Sequence, residues 1–326
     1  MPLETHARGE ASTEPLVDRT AAARALFARI SRRSTRIVVP INDAAADPES
    51  PAPSFFCVHS LSGAGGADFT ALARRMGGAV RFFGVQAPPA RLEEEGFGAD
   101  LHALGASYAE AVAATAPTGP IRLGGWSAGA PIALVVAHQL RSMGREVDLL
   151  VAIEGGPEIP HEGLSRLDPR YWLRVAANLP AWWTDSRKMS SDFPQGPAWR
   201  FLVAMVARLR FGSSGSAARA RAETHIAQFG SMDRYPRSHQ RFMRRLYAAI
   251  MSFRPDPWDG PVVVYEASIK PAVTLPQFFE RWRMIAAQVE RVRLEGNHVT
   301  VMRDPWVAQL ASDLARRLDA ARAVRR

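Results

Sequence analysis

The feature that most constrains this chain is a serine flanked by glycines, between a strand-like run and a helix-like run. The stretch GGWSAGAP, residues 124–131, follows the short run PIRL and precedes IALVVAHQL. A strand that turns into a helix around Gly-x-Ser-x-Gly turns so tightly that the residues two before and two after the serine cannot carry side chains. Gly125 and Gly129 meet this requirement. The stretch therefore predicts an exposed Ser127 on a strand-to-helix turn, the alternative being an ordinary glycine-rich helix start.

Strand-like and helix-like segments alternate on both sides of this turn. Upstream, the strand SFFCVHS, the helix DFTALARRM, the strand VRFFGVQA and the helix LHALGASYAEAVAATA follow one another. Downstream comes the strand DLLVAIE and, after a long gap, the strands PVVVYEAS and ERVRLEG and a last helix. Alternation of this kind without hairpin signals predicts an α/β fold with a mostly parallel central sheet and helices on both faces.

The long gap divides the chain into three parts. We expect an N-terminal extension over residues 1–34, with one helix at AAARALFARI, and a core formed by residues 35–154 and 261–326. Residues 155–260 contain several helix-like pieces and no convincing strand. They predict a helical lid over the site, inserted between the sixth and seventh strands of the sheet.

Composition limits the classes of partner. With 326 residues and 47% hydrophobic content, the chain can bury a large core. The net charge is +9, but no zinc-finger spacing, RNA-binding signature or P-loop accompanies it, so we expect neither a nucleic-acid partner nor a metal. The apolar runs are far shorter than the roughly 20 residues of a membrane span, so we expect no membrane contact. Without a secretory signal, and with Cys57 as the single cysteine, we expect a cytoplasmic protein whose Cys57 lies in a strand core.

A nucleophilic serine needs an acid and a base, which follow it along the chain in this architecture. His298 is the only one of the eight histidines beyond the last strand-like run, in the stretch LEGNHVT. Glu154 closes the strand DLLVAIE, and Glu266 closes PVVVYE. Either glutamate could accept a hydrogen bond from the His298 Nδ1–H and leave Nε2 free for Ser127. Position alone leaves both acids open.

The loop over residues 59–66, HSLSGAGG, follows an early central strand and suits the stabilisation of an oxyanion. Its glycines let the backbone approach a substrate, and we expect the N–H groups of Leu61 and Ala128 to act as the donor pair. His59 and Trp126 are expected to line the substrate pocket. The loop has neither a GxxxxGK[ST] nor a full GxGxxG pattern, which argues against a phosphate site.

Four segments together resemble the thioesterase domains that release products from nonribosomal peptide and polyketide synthetases, which have an α/β-hydrolase fold. The segments run from IVVPI to ALARRM, over RFFGVQAP, from GPIRLGGWSAGAP to VAIEGGP, and over VRLEGNHVTVMRDPWVAQLASDL. They cover most of residues 35–155 and 260–316. The resemblance implies a triad-based hydrolase with a variable lid.

The same resemblance implies a role for each candidate residue. Ser127 matches the nucleophile of the family and His298 matches its base. Glu154 matches the position of the usual aspartate, 27 residues beyond the serine, which favours Glu154 over Glu266 as the acid. Glutamate at this position departs from the family, and so does Ser60, where many relatives have proline.

By this resemblance we expect a serine thioesterase or acyltransferase of secondary-metabolite biosynthesis, with no bound cofactor. Ser127 would take an acyl or peptidyl chain from the phosphopantetheine of a carrier protein, and water or a small alcohol or amine would release it. Because no carrier or condensation module precedes the core, we expect a free-standing enzyme acting in trans. The alternatives are a carboxylesterase or lipase for a diffusible ester, and a non-catalytic, hydrolase-like carrier-binding protein.

Overall fold

The computed structural model describes residues 36–158, 236–269 and 278–323, with a few further positions between 169 and 180. The predicted N-terminal helix lies outside the described residues, as does nearly all of the predicted lid before residue 236. The division into extension, core and lid therefore stays a prediction, and so does the enclosure of the site by the lid.

Strands and helices alternate along the described chain, as the sequence predicts. Their bounds are β1 Val38–Pro40, α1 Asp43–Ala46, β2 Ser54–Val58, α2 Gly65–Met76, β3 Arg81–Val85, α3 Leu101–Thr115, β4 Ile121–Trp126, α4 Gly129–Ser142, β5 Val147–Ile153, α5 Arg237–Ser252, β6 Trp258–Ile269, α6 Phe278–Ile285, β7 Ala286–Asn297 and α7 Val307–Ala323.

The described strands form one sheet in the order β1-β3-β2-β4-β5-β6-β7. Strand β1 pairs antiparallel with β3, and every other pairing is parallel. The carboxyl ends of the parallel strands therefore meet at one edge of the sheet, which is where ligands bind in open α/β sheets. The predicted α/β class and the mostly parallel sheet are confirmed.

Helices cover both faces of the sheet because successive strand residues point to opposite sides. Phe55 and Cys57 of β2 join the core cluster that contains side chains of α2 and α7. Phe56 and Val58 join the other cluster, with side chains of α3, α4 and α5. All four are fully buried, and burying one Phe contributes roughly 1.5–3 kcal/mol. Cys57 is a core thiol as predicted, and burial raises its pKa well above the usual value.

Helix α5 joins the described part of the predicted lid region to the core. Its buried side chains recur at helical spacing: His239, Phe242, Met243, Leu246, Tyr247, Ala249 and Ile250. The Phe242 ring stacks on Phe97 with centroids 5.6 Å apart, and Arg245 donates to the carbonyl of Phe97 at 3.1 Å. A Cβ on Gly63 would come within 2.9 Å of the Phe242 ring. Helix α5 thus packs directly on the loop after β2.

Two sequence-based expectations need correction. The predicted lid region follows the fifth described strand and precedes the sixth, and does not lie between the sixth and seventh. Of the described strands, only β1 to β5 precede it. Strand β6 also begins at Trp258 and runs to Ile269, so it starts before the predicted end of the lid at residue 260.

Within the described ranges, no helix combines the length and the apolar character that crossing a membrane requires.

Candidate active site

Ser127 lies on the turn between β4 and α4 with a left-handed backbone, φ 57°. Its N–H donates to the carbonyl of Ile153 on the neighbouring strand at 2.8 Å. A Cβ on Gly125 would overlap the carbonyl of Gly129, and a Cβ on Gly129 would overlap the carbonyl of Val58. Only glycine fits at these two positions. This is the strand-to-helix turn that the sequence predicts, with α4 beginning two residues after the serine.

His298 lies in the loop after β7, and its Nε2 is 3.0 Å from the Ser127 Oγ. The indole N–H of Trp126 donates to the His298 carbonyl at 3.2 Å, and the two rings stack with centroids 5.9 Å apart. The Asn297 side chain accepts hydrogen bonds from the N–H groups of Val299 and Thr300 at 2.9 and 3.0 Å. Trp126 therefore supports the loop of His298, and its contact with a substrate stays a prediction.

Glu154 follows β5 directly and is 1% exposed. Its Oε2 is 3.2 Å from the His298 Nδ1, and its Oε1 accepts a hydrogen bond from the Ala267 N–H at 2.5 Å. The backbone of Glu154 is left-handed, with φ 50°, and its N–H donates to the Tyr265 carbonyl at 2.8 Å. The Glu154 side chain is one methylene longer than that of aspartate. The hydrogen bond from the Ala267 N–H and the left-handed backbone hold it against the His298 ring.

Glu266, the other candidate acid, lies within β6 and not at its end. It is 5% exposed, and its Oε1 accepts a hydrogen bond from the Phe279 N–H of α6 at 3.1 Å. The Arg291 Nε of β7 lies 3.5 Å from its Oε2. Its carboxylate thus joins α6 and β7 to β6, whereas Glu154 meets the Nδ1 of His298.

The loop that holds Leu61 begins beside the nucleophile turn. A Cβ on Gly129, at the start of α4, would come within 2.6 Å of the His59 carbonyl at the end of β2. Leu61 and Ala128 are both buried, and in the part of the chain that the structure describes their N–H groups donate to no other group. Ala128 directly follows Ser127, and the loop of Leu61 begins beside the same turn. This arrangement fits an oxyanion site, which stays a prediction.

His59 does not line an open pocket, which corrects the expectation. Its side chain is fully buried, with Nδ1 2.5 Å from the Ser60 carbonyl and Nε2 2.7 Å from the Tyr108 hydroxyl. Burial is the main reason that the pKa of His59 is lowered to about 4, so the ring is neutral near pH 7. The His59 ring therefore lies inside the protein, where it contacts the loop that begins with His59.

Three residues next to the site were not identified from the sequence. Tyr108 of α3 contacts His59, and Asp68 of α2 accepts hydrogen bonds from Ser60. The indole of Trp282 is fully buried and donates to the Gly155 carbonyl at 3.0 Å, beside Glu154. An aspartate in the first turn of a helix that follows a serine-rich loop was a usable signal for Asp68. Tyr108 and Trp282 are single aromatic residues in helical patterns, and nothing in the sequence distinguishes them from core residues.

A comparison with known protein families identifies one match. Residues 53–170 match the model of the thioesterase domain. These residues contain the loop after β2, Ser127 and Glu154, whereas His298 lies beyond the matched range. The match confirms the thioesterase resemblance over this part of the chain.

Two curated relatives are large synthases. The non-reducing polyketide synthase CTB1 of Cercospora nicotianae is 35% identical over 94 residues, which are 29% of this chain and 4% of that protein. The dimodular nonribosomal peptide synthase of Bacillus subtilis is 32% identical over 105 residues, 32% of this chain and 4% of that protein. This chain thus spans a small fraction of the length of the curated relatives that it matches.

One solved structure illustrates the likeness in fold. RedJ, a thioesterase from the prodiginine biosynthetic pathway in Streptomyces coelicolor, matches with a TM-score of 0.54 and 21% identity. The match covers 89% of this chain and 98% of RedJ. With the mostly parallel sheet described above, this likeness shows the α/β-hydrolase fold of thioesterase domains.

Proposed function

From the match of residues 53–170 to the thioesterase-domain model, we propose that this protein is a serine thioesterase or acyltransferase. Its donor is an acyl or peptidyl chain held as a thioester on the phosphopantetheine of a carrier protein that acts in trans. The relatives described above, a polyketide synthase and a nonribosomal peptide synthase, support this donor class. The observation that carries the proposal is the hydrogen-bonded series of Ser127 Oγ, His298 and Glu154.

The first half of the reaction forms an acyl-serine. The His298 Nε2, 3.0 Å from Ser127 Oγ, accepts the hydroxyl proton while Oγ forms a bond to the thioester carbonyl carbon. The carbonyl oxygen becomes negative and accepts hydrogen bonds from the N–H groups of Leu61 and Ala128. When the tetrahedral intermediate collapses, the carbon–sulfur bond breaks. His298 then gives its proton to the departing thiol.

The second half transfers the acyl group to an acceptor. His298 Nε2 removes a proton from water, an alcohol or an amine as that group attacks the acyl carbon, and the bond to Ser127 Oγ breaks. The proton returns to Oγ, and the product is an acid, an ester or lactone, or an amide. Throughout, the buried carboxylate of Glu154 accepts the Nδ1–H, which fixes the tautomer and stabilises the charged imidazole ring.

The phosphopantetheine in this proposal belongs to the carrier protein, and the enzyme uses no bound cofactor of its own. The cytoplasmic location expected from the sequence stays a prediction.

Mass spectrometry of the protein with acyl-loaded carrier domains tests the proposal. We expect the wild-type protein to release the chain and to carry an acyl adduct on Ser127. In the Ser127→Ala variant, turnover should fall by roughly 10⁶-fold, the scale known for loss of a triad serine, and the adduct should be absent. An adduct that persists on Ser127→Ala would overturn the assignment of the nucleophile.

The same experiment separates the alternatives. Faster hydrolysis of simple diffusible esters than of carrier-bound thioesters would instead favour a carboxylesterase. A wild-type protein that binds the carrier but is not labelled on Ser127 by a fluorophosphonate would favour a non-catalytic binder. Product masses from reactions with and without added alcohols or amines identify the acceptor class.

A further inference from the structure

The loop from His59 to Ala64 uses its backbone N–H groups almost completely. The donor–acceptor pairs are His59 N–H to the Val85 carbonyl at 3.0 Å, Ser60 N–H to Asp68 Oδ2 at 3.1 Å, Ser62 N–H to Ser60 Oγ at 3.3 Å, Gly63 N–H to the Ser60 carbonyl at 3.2 Å and Ala64 N–H to Ser62 Oγ at 3.1 Å. Counting only partners in the described ranges, the Leu61 N–H is the one that remains without an acceptor. The loop thus leaves one backbone donor that is available to an acceptor beyond the described residues.

The direction of this donor is fixed through the peptide group that it belongs to. The Ser60 carbonyl and the Leu61 N–H share one planar peptide and point in opposite directions when that peptide is trans. The Ser60 carbonyl accepts hydrogen bonds from the His59 Nδ1–H at 2.5 Å and from the Gly63 N–H at 3.2 Å. Holding the carbonyl inside the protein therefore turns the Leu61 N–H to the other side.

The ring of His59 is itself held in one tautomer. A carbonyl oxygen only accepts, so Nδ1 carries the proton, and Nε2 of the neutral ring accepts a hydrogen bond from the Tyr108 O–H at 2.7 Å. The Tyr108 and Phe242 rings pack edge-on against His59, with centroids 5.6 and 6.0 Å away. The donor to the Ser60 carbonyl is consequently fixed in both position and protonation.

Asp68 holds Ser60 on the other side of its Cα, through the N–H of the preceding peptide and through the Ser60 side chain. Its Oδ2 accepts the Ser60 N–H at 3.1 Å, the Ser60 O–H at 2.6 Å and the Ser62 O–H at 3.1 Å. Burial raises the pKa of Asp68, while the hydrogen bonds from Ser60 and Ser62 favour its charged form. One carboxylate oxygen thus organises both serines of the loop.

We propose that His59 and Asp68 are positioning residues that hold the Ser60–Leu61 peptide so that the Leu61 N–H faces the oxyanion formed at Ser127. Neither side chain touches the reacting atoms. Ser60 supplies hydrogen bonds to Asp68 through both its N–H and its hydroxyl. This inference rests on the proposed function, because an oxyanion forms only if Ser127 attacks a carbonyl.

Matched alanine variants separate positioning from stability. Asp68→Ala is compared with Asp100→Ala, which removes the N-cap of α3 and its hydrogen bonds from the N–H groups of His102 and Ala103. The assays are kcat and KM for a short-chain acyl N-acetylcysteamine thioester, the Kd of an alkyl boronic acid that forms a tetrahedral adduct with Ser127, and the Tm.

For Asp68→Ala we expect kcat to fall about 10²-fold at a nearly unchanged KM, the scale for loss of one oxyanion donor. The Kd of the boronic acid should rise by a similar factor, because only the tetrahedral adduct uses the Leu61 N–H. Asp100→Ala should lower the Tm but keep kcat and Kd within about threefold of wild type. An Asp68→Ala enzyme whose kcat and Kd match those of Asp100→Ala would overturn the proposal.

Milder variants cover the case in which Asp68→Ala does not fold. Ser60→Ala removes only a hydroxyl, and Tyr108→Phe removes only the O–H that meets His59. Each should lower kcat about tenfold with KM unchanged, and the double variant should lose less than the product of the two, because both act on one peptide. Wild-type kcat in both single variants would contradict the assignment.

A crystal structure of Ser60→Ala or Asp68→Ala supplies a readout that needs no activity. We expect the Ser60–Leu61 peptide to rotate, and an unmoved peptide would overturn the inference even if Ser127 proved unreactive. Conversely, a wild-type protein that fails to turn over thioesters defeats the proposed function whatever the peptide does. The two ideas therefore fail separately.

Discussion

The candidate site has two halves that are built in different ways. The acid–base half consists of the side chains of His298 and Glu154. The His298 Nε2 is 3.0 Å from the Ser127 Oγ, and the His298 Nδ1 is 3.2 Å from the Glu154 Oε2. In the oxyanion half, residues 59–64, buried side chains hold a backbone, and a single N–H is left over among the described partners. Side chains perform the proposed chemistry in the first half, whereas in the second they shape the main chain that performs it.

This difference indicates how each half responds to mutation. A conservative change in the acid–base half alters one hydrogen bond of a side chain and should reduce turnover more than stability. In the oxyanion half, the side chains of His59 and Asp68 hold backbone groups of the loop, so a change there should reduce both turnover and stability. Variants in the two halves test this contrast, and they differ in the free energy at stake.

The largest effect is expected at Glu154. Glu154→Gln keeps the volume but places an amide against the His298 Nδ1–H, so kcat should fall by about 10² to 10⁴, or roughly 3–5 kcal/mol. Glu266→Gln is the matched control, since the Glu266 carboxylate accepts a hydrogen bond from the Phe279 N–H of α6, and it should keep kcat within about threefold. Steady-state kinetics and the urea midpoint of both variants provide the measurement. Loss of turnover in Glu266→Gln alone would show that the wrong acid was chosen.

The second-largest effect is expected on stability, which should depend on pH because His59 of the oxyanion half is buried. The pKa of His59 in the folded protein is about 4, because burial disfavours the charged ring, whereas the unfolded value is near 6.5. At a pH between these two pKa values, His59 is protonated in the unfolded chain and neutral in the folded protein. The free energy of unfolding should therefore fall as the pH drops from about 6.5 to 4, by roughly 3 kcal/mol from His59 alone.

His59→Asn tests this window, because the amide keeps a donor near the position of Nδ1 and does not titrate. Urea unfolding between pH 4 and pH 7 should show a slope smaller by about one proton in this variant. His239, whose pKa burial also lowers to about 4, remains in both proteins, so its own titration is present in both slopes. Equal slopes would mean that His59 is not buried as a neutral ring.

A smaller effect is expected when the acid is shortened. Glu154→Asp preserves the charge but cannot bond both the Ala267 N–H and the His298 Nδ1 from the same backbone position. A displacement of about 1 Å in such a contact reduces turnover roughly tenfold to a hundredfold. Kinetics of Glu154→Asp beside Glu154→Gln measure the effect, and wild-type kcat in the aspartate variant would show that the backbone adapts freely.

The smallest effect is expected where the two halves meet at the surface. Asp304, beyond His298, pairs with Arg74 and Arg75 of α2 at 2.6 Å each. These side chains are well exposed, so Asp304→Asn should cost less than about 1 kcal/mol and keep kcat within twofold. Denaturant titration and steady-state kinetics check both values. A large loss of turnover would mean that the two halves are coupled through α2.

Much of the fold follows from the sequence because alternating strand and helix patterns leave few arrangements of a parallel sheet. The runs SFFCVHS and DLLVAIE appear as β2 and β5, and GGWSAGAP spans the β4–α4 turn. The antiparallel pairing of β1 and the length of β6 were not predicted, because pairing direction and strand ends depend on neighbours distant in the chain.

The two halves of the site differ in the same way. Ser127, His298 and Glu154 carry chemistry in their side chains and stand at strand ends, so residue type and order indicated them. The roles of His59, Tyr108 and Asp68 depend on which backbone atoms they reach, and sequence spacing does not encode those contacts. For the same reason, the sequence predicts His59 in the substrate pocket, whereas the structure shows it buried against the Ser60 carbonyl.

The left-handed backbones of Ser127 and Glu154 have a consequence for engineering. They are the only residues other than glycine with positive φ in the described part of the chain, a conformation that costs of order 1 kcal/mol or more without glycine. Selection for heat resistance alone should tolerate glycine at Ser127, whereas at Glu154 the loss of the buried carboxylate would leave the Ala267 N–H without its acceptor. Selection for product release should reject glycine at both. A screen that heats the protein without assaying it would therefore drift toward a well-folded protein that no longer reacts.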